Sequence, residues 1–529
     1  MRSLETEVLV IGGGATGAGI ARDLAMRGFR TVVVERDDWA SGTTGRYNGL
    51  LHSGSRYSVN HLDSARDCIR ENRILRRIMP HCIEDTGGYV VATPVDDPAY
   101  GDRLMAACRA AGIPIEEVPV SRVLREEPLV NPGIQRALRV PDAPADSFLA
   151  TLSTIESARQ HGARTLNYHA VVELLTSAGR VIGAVCHDRV GNERVTIFAD
   201  LVINAAGAWA GKVAALVGVH IPLLCSQGTM IATNYRLVNT VITRLRWPAP
   251  VDSVLCSHSV SVLGCTDVVI NDPDDCAPQP SELRQILAEC SQLVPAARSV
   301  RHLRAWCGVR PLYRSAPVNG SSGQGLSRAH VILDHAVTDG IEGIISVVGG
   351  KWTTHRLMAE QTADAACRKL NTQRPCRTHL EALPGAVGHH HRHGERLAHV
   401  ETTATQSGLV CECELVERSS LEEAAVSGSV ISLDDLRRRT RLGMGSCQGG
   451  FCGYRAAGLL HAINRPPSND ARRRVTEFLQ GRWKGIAPIA RDNQVRQMRL
   501  NELLYRQVLA LLPGSPDIEK PLQPPATGK

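Results

Sequence analysis

The chain has 529 residues, room for about three domain-sized units at roughly 150 residues each, which excludes a single small binding module. Hydrophobic residues are 43% and charged residues 21%, the balance of a soluble globular protein with a sizeable core, so neither disorder nor a coiled coil fits. The 60 basic against 53 acidic residues leave a net charge of +7, which permits an anionic substrate or a lipid surface without demanding either, and 4% aromatic content speaks against base-stacking and nucleic acid.

The N-terminus, MRSLETEVLVIGGG, reaches a glycine turn so early that no signal peptide fits ahead of it. The best candidate for a membrane span, Leu201 to Val219, carries Asn204, Trp209 and Lys212 among glycines and reads as strand, turn and helix instead. A cytosolic chain is expected, with its 16 cysteines as thiols or metal ligands rather than disulfides.

Glu7 to Ile11 is an apolar run followed by GGGATGAGIARDLAMRG and then TVVVE, the strand, turn, helix and strand of a dinucleotide-binding βαβ unit. Gly12 permits the tight turn, Gly14 lets the backbone approach a pyrophosphate, and Gly17 lets the helix sit close on the sheet. Glu35 ends the second strand, where a carboxylate accepts ribose hydroxyls, and Arg36 follows it in the same cofactor site. Strands and helices alternate to about residue 220, with Ser153 to His161 as a helix and Val195 to Ile203 as a strand entering NAAGAW. Residues 222–300 are broken by Pro248, Pro250, Pro273, Pro278 and Pro280 into short β-rich pieces, read as an inserted antiparallel substrate cap. The strand pattern resumes at VILD and GIISVVGG, and Thr353 opens a helix to about Leu370, closing an α/β oxidoreductase domain over 1–370.

Residues 371–408 show no periodicity and read as a linker, with the His-rich run Gly388 to His393 as a solvated part of it. Residues 409–462 form a compact small unit. The last stretch, 463–529, reads as a helical tail with a possible role in partner docking, its clearest helix near Asn493 to Leu512 carrying Leu500, Leu503, Leu504, Val508 and Leu511 at helical spacing.

Two later stretches distinguish FAD from NAD. NAAGAWA, with Ala206 and Gly207, resembles the second strand-turn of glutathione-reductase-type flavoproteins, and VVGGKWTTHRLMAE, with Gly349, Gly350 and Thr353, resembles their final turn into a helix beside the flavin. A helix N-terminus there stabilises negative charge on a reduced flavin.

With FAD placed, HSGSRY, LGCTD, CGVRPL and GGKWTTHR resemble the FAD-dependent glycerol-3-phosphate dehydrogenases over about residues 5–370. The resemblance implies a D-amino-acid-oxidase-type fold, Arg310 and Arg56 on a substrate phosphate, and Lys351 beside the flavin. Arginine also suits phosphate by its own chemistry, as a permanently charged fork. His52, four residues before Arg56, is the candidate base for the hydroxyl proton. Cys265 stands where the family commonly has Thr, and His355 where it commonly has Tyr.

Cys411 and Cys413 form C-x-C, and Cys447 and Cys452 lie in GMGSCQGGFCGYR, with 33 residues between the pairs. Four thiolates on two short loops suit a 2Fe-2S cluster, and the glycines around them let backbone N–H groups turn toward sulfur. Structural zinc is the alternative. The spacing resembles the small helical domain named after bacterioferritin-associated ferredoxin. Arg437, Arg438, Arg439 and Arg441 either offset cluster charge, dock an acidic partner or form a solvated basic face.

A flavin domain joined to this cysteine unit resembles the anaerobic branch of the glycerol-3-phosphate dehydrogenases. That implies oxidation of sn-glycerol 3-phosphate, with electrons leaving FAD through the iron-sulfur site to two partners and so to quinone. One partner is a second soluble protein carrying FMN, the other a membrane-anchoring iron-sulfur protein. Attachment to the cytoplasmic face of the inner membrane would then come through those partners. Two rival functions stay open: an opine or amino-acid dehydrogenase of the same fold, and a non-catalytic electron-transfer scaffold.

Overall fold

A computed structural model describes residues 2–314, 328–386, 393–403, 408–426, 430–464 and 468–508. The first apolar run forms strand β1 (Arg2–Ile11), followed by helix α1 (Ala15–Met26) and strand β2 (Thr31–Val34). β1 lies parallel between β2 and the long strand Glu193–Asn204, at the centre of an eight-stranded sheet. Because it is buried on both faces it reads as continuous hydrophobics rather than alternating ones. Val8 and Val10 pack with Ile20, Leu24, Ile155 and Met358 from the helices on one face. Leu9 and Ile11 pack on the other, with Ile197 of Glu193–Asn204 and with Leu174 and Val181 of the adjoining antiparallel strands. Ile344–Gly349 joins Glu193–Asn204 in parallel, so the ends of three central strands lie side by side.

The second sheet has nine strands and forms the cap. Its spine is the pairing of Leu223–Thr233 with His302–Tyr313, which runs almost the full length of both strands. Five of its strands come from the expected 222–300, and the sheet extends beyond that range. Gly88–Ala92, Glu116–Glu117 and Arg136–Val140 belong to the same sheet, Gly88–Ala92 pairing in parallel with Val241–Arg244. A strand's local pattern does not say which sheet it joins, and GYVVA is as apolar as the strands of the first sheet.

Residues 371–408 are also more than a linker. Leu383 is buried beside Leu75, Ile78 and Met79, and Arg22 donates to the carbonyls of Thr378 and Glu381 at 3.1 and 2.8 Å. The stretch His393–Thr403 is helical, and the rest of the His-rich run, residues 388–392, lies outside the described residues.

The cysteine unit packs a short hairpin and the helices Arg418–Val426, Leu433–Thr440 and Cys452–Asn464 around Leu421, Leu433, Leu436 and Leu460. Val475 and Phe478 of the helix Ser468–Ile486 complete that core. The last helix, Asn493–Val508, departs from its apolar spacing: Leu500, Leu503 and Leu504 are 55%, 42% and 50% exposed. It is held through polar atoms, Gln494 Nε2 donating to the His302 carbonyl at 2.6 Å and Tyr505 Oη to the Gly449 carbonyl at 2.8 Å. Hydrophobic spacing alone does not tell which face of a surface helix is held. Leu511 lies outside the described residues. No described helix is long and apolar enough to cross a membrane.

Candidate functional site

The three strand ends converge on a glycine cradle. Gly12 has φ +112°, and a Cβ there would lie 2.6 Å from the Ala205 carbonyl oxygen, so this close crossing excludes a side chain. A Cβ on Gly17 would collide with the Gly12 carbonyl, which is the helix-on-strand contact that its place in the motif predicts. Gly14 caps α1 without a side chain, and no acidic residue sits in the first turn. The helix start therefore presents backbone N–H groups and partial positive charge to an anion. Glu35 is fixed by N–H groups of Gly13 and Asp37, at 2.7 and 2.9 Å, and burial pushes its carboxyl upward against those bonds. Arg36 stacks over the Trp209 ring at 4.9 Å.

Gly12, Gly14, Glu35 and Arg36 line one cavity of about 980 Å³, together with Ala206, Gly207, Gly349, Gly350 and Thr353, while Gly17 lies behind it in the helix-on-strand contact. Its size is at the upper end of the usual ~300–1,000 Å³ for cofactor and ligand sites. Gly350 has φ +81°, and a Cβ there would strike the Met358 sulfur. Thr353 sits in a 3₁₀ turn, Trp352–Thr354, and the α-helix starts at His355, two residues later than expected. The uncapped α1 start and the side-chain-free cradle are what a dinucleotide cofactor such as FAD needs for close approach, so the residues fit that group.

The far end of the same cavity is cationic. It is lined by His52, Arg56, Arg310 and Lys351, the four residues expected to carry the chemistry. Arg310 is braced from the cap: its Nη1 donates to Ser226 Oγ at 3.1 Å, and its Nη2 to the Thr266 carbonyl at 2.9 Å and to Cys265 Sγ at 2.7 Å. A Cβ on Gly228 would overlap that guanidinium, so a glycine across the strand pair makes its room. Arg56 pairs with Asp252 and donates to the Ala249 carbonyl at 2.7 Å. Lys351 Nζ lies 4.7 Å above the Tyr57 ring and donates to the Arg328 carbonyl at 3.1 Å. Arg328 lines the cavity too, with Nη2 3.2 Å from Asp267. Sequence reasoning misses it, because the flanking SSGQGLSRAH has neither periodicity nor motif.

His52 lies among these cations. Its backbone N–H donates to Thr353 Oγ1 at 3.0 Å and its ring meets the edge of Tyr57. Burial, and then Arg56, Lys351 and Arg328, push its pKa down to about 3, so the imidazole is neutral near pH 7 and one ring nitrogen is free to accept a proton. His355, the other departure from the family pattern, bonds the Trp352 carbonyl through Nδ1 at 2.7 Å, and burial lowers it to about 4.

The four cysteines also come together. Cys411 meets Cys452, and Cys447 meets both Cys413 and Cys452. Among the described residues, no three His, Cys, Asp or Glu side chains converge on one point for a single metal ion. Contact with Cys452, aided by the N–H groups of Gly443 and Glu414, draws the Cys411 thiol down to about 7. Contact with Cys413 and Cys452, aided by the N–H groups of Phe451 and Gly449, lowers Cys447 as well. A Cβ on Gly445 would collide with Cys413. Four thiols with converging N–H groups are the donor set that an anionic 2Fe-2S cluster needs, and they fit that group.

The arginines of the helix Leu433–Thr440 do something else. Arg438 and Arg439 each reach Asp38 at 2.8 Å, a carboxylate just past Glu35 that is 0% exposed. Arg441 bridges Asp146 at 2.9 Å and Glu414 at 2.8 Å. Tyr168 Oη adds a 2.6 Å bond to Asp435. The expectation of a solvated basic face or an acidic-partner site is corrected for these three arginines, which clamp the cysteine unit to the flavin domain.

Comparison with known proteins agrees with both halves. Residues 7–364 match the family of FAD dependent oxidoreductases, and residues 409–462 match the BFD-like [2Fe-2S] binding domain. The chain is 40% identical to the anaerobic glycerol-3-phosphate dehydrogenase A subunit of Escherichia coli K12, over 96% of this chain and 98% of that one. It is 37% identical to the corresponding A1 subunit of Haloferax volcanii, over 94% and 89%. The fold resembles glycerol-3-phosphate dehydrogenase of Bacillus halodurans, a structure complexed with FAD, with TM-score 0.67 and 21% identity over 92% of this chain and 96% of that one.

Proposed function

Because the chain belongs to the family of anaerobic glycerol-3-phosphate dehydrogenase A subunits, we propose that it oxidises sn-glycerol 3-phosphate to dihydroxyacetone phosphate in the cavity between its two sheets. One observation carries the substrate class: Arg56, Arg310, Arg328 and Lys351 line one end of the cavity, against the two carboxylates Asp252 and Asp267. That excess of positive charge, gathered at one end, suits the compact dianionic headgroup of a phosphate ester rather than the separated carboxylates of an opine.

FAD, when bound, supplies the two-electron acceptor for a hydride. The chain's own residues do the rest. Arg310 and Arg56 fix the phosphate and thereby the carbon skeleton, converting binding energy into orientation. His52, held neutral, accepts the hydroxyl proton as the C–H bond gives up its hydride. Phosphate binding offsets the cations that hold His52 down, so the base strengthens when substrate is present. Lys351 stabilises the developing oxygen charge.

Cys411, Cys413, Cys447 and Cys452 would hold a 2Fe-2S centre, which would supply a one-electron carrier between the flavin and further subunits that reduce quinone. FMN, if the assembly uses it, belongs to a partner protein. Attachment to the cytoplasmic face of the inner membrane runs through those partners, with the C-terminal stretch 463–529 as a docking element. The test is anaerobic: the FAD-loaded protein is mixed with glycerol 3-phosphate or with a panel of opines while the flavin absorbance is followed. Bleaching by the phosphate alone is expected. Bleaching only by opines, or none, overturns the assignment.

A further inference from the structure

Beside the cysteine turn lies a group of buried guanidiniums that neither the substrate chemistry nor the interdomain clamp uses. Arg482, on the helix Ser468–Ile486, is 7% exposed. Its Nη2 donates to the Cys447 carbonyl at 3.1 Å, but Nε and Nη1 have no hydrogen-bond partner. Arg304, on the cap strand His302–Tyr313, lies against Gly485 and also buries an unpartnered Nε, as does Arg437. The carboxylate that serves Arg304 and Arg437 is Asp434, 3.6 Å from Arg437.

Burial pulls Arg304 down to about 9, and the like charges of Arg437 and Arg482 add to that. A guanidinium does not give up its proton in a protein, so such a depression marks a cation short of an anion. A Cβ on Gly450 would lie 3.2 Å from Arg482 Nη2, so the guanidinium is seated on the turn that carries Cys447. Tyr505 Oη donates to the Gly449 and Gly450 carbonyls of the same turn, so its proton is engaged there and the thiols of the cysteine centre remain as the anions for Arg482.

We propose that Arg482 is the fixed counter-charge of the 2Fe-2S centre, set against the Cys447–Gly450 turn so that it favours the one-electron-reduced, more negative form and raises the reduction potential. The inference rests on the iron-sulfur reading above. The couple takes up one electron, binds no proton and makes or breaks no bond, so the electrostatic work of the added charge falls directly on the potential. Arg304 and Arg437 extend the same positive field.

The test is a redox titration of the anaerobically purified full chain, followed by EPR, for wild type, Arg482→Gln and Arg482→Lys. At the wild-type midpoint the reduced-to-oxidised ratio should fall about tenfold in the Gln variant, ~59 mV for a one-electron couple. The Lys variant should keep most of the wild-type ratio. Flavin bleaching by glycerol 3-phosphate should be unchanged in both. Wild type without iron overturns the iron-sulfur reading and this inference with it, whereas an iron-loaded Gln variant with the wild-type midpoint overturns the inference alone. If the Gln variant fails to hold iron, Arg304→Gln decides, since it leaves the cysteine turn intact: a lowered midpoint supports the field, and an unmoved one removes it.

Discussion

Two groups of arginines in this chain, one gathered by the fold and one contiguous in sequence, do opposite work. Around the cavity, Arg56, Arg310 and Arg328 are braced mostly by carbonyls, a thiol and two carboxylates, and all three line its open volume. On the helix Leu433–Thr440, Arg438 and Arg439 are consumed by Asp38 and Asp435, and Arg441 beyond it by Asp146 and Glu414. Arginines whose charge is in excess await a ligand, while arginines that are matched one by one hold domains together. The count of basic residues is silent on the difference, which lies in where the carboxylates are.

The largest effect should come from inside the cavity without touching its charge. His52→Asn should slow flavin reduction by about 10²–10⁴-fold, the usual cost of losing a general base, with far less change in substrate affinity. Stopped-flow reduction at saturating glycerol 3-phosphate measures it, and a wild-type rate would remove His52 from the role. Next, Arg310→Ala should lower kcat/KM by about 10²–10³-fold while FAD stays bound, because an orienting phosphate contact is lost. Steady-state kinetics with an artificial electron acceptor checks this, and unchanged values would place Arg310 among the matched arginines instead.

The clamp should respond in the opposite way. Asp38→Asn leaves Arg438 and Arg439 short of their shared carboxylate, so stability should fall by about 3–5 kcal/mol, the cost of breaking a buried pair from one side. Flavin bleaching below the new melting temperature should survive. Thermal and denaturant unfolding test the first statement and stopped flow the second; if activity fell as steeply as stability, the two regions would not be separable.

The smallest effect is a pH dependence. His355 is 6% exposed and its folded pKa is pushed from the ordinary 6.5 down to about 4, so below pH 6.5 the unfolded chain binds a proton that the folded one refuses. That group's contribution to stability is therefore constant above pH 6.5 and falls as pH drops toward 4. At pH 5 the penalty is about 2 kcal/mol at most. Denaturant unfolding at pH 7 and pH 5 should show a shallower loss in His355→Gln than in wild type. An identical slope would mean that the imidazole titrates freely.

What can be read from the sequence follows the range over which each feature is encoded. The glycine turn with Glu35, and the two cysteine pairs with their glycines, are local patterns in which spacing carries the geometry. Arg310 and His52 are reachable through the resemblance of their short stretches to a family. Arg328 is not, because only the tertiary fold brings it beside Lys351. The cap's strand Gly88–Ala92 escapes a sequence reading because an apolar run does not name its partner strand. The outward leucines of the last helix mislead for a related reason: helical spacing shows that a face exists, and polar bonds from Gln494 and Tyr505 decide which face is held down.

Asp38 also sets a timetable for the chain as it is made. Its partner Arg438 follows 400 residues later, which at about 5–20 residues per second of synthesis is a wait of roughly 20–80 s. Through that interval the nascent flavin domain carries a carboxylate destined for full burial with no cation to meet it, and Asp146 waits likewise for Arg441. The seat for the cysteine unit therefore stays hydrated and open until Arg438 and Arg441 have emerged. A segment made some 400 residues later closes a site laid down among the first.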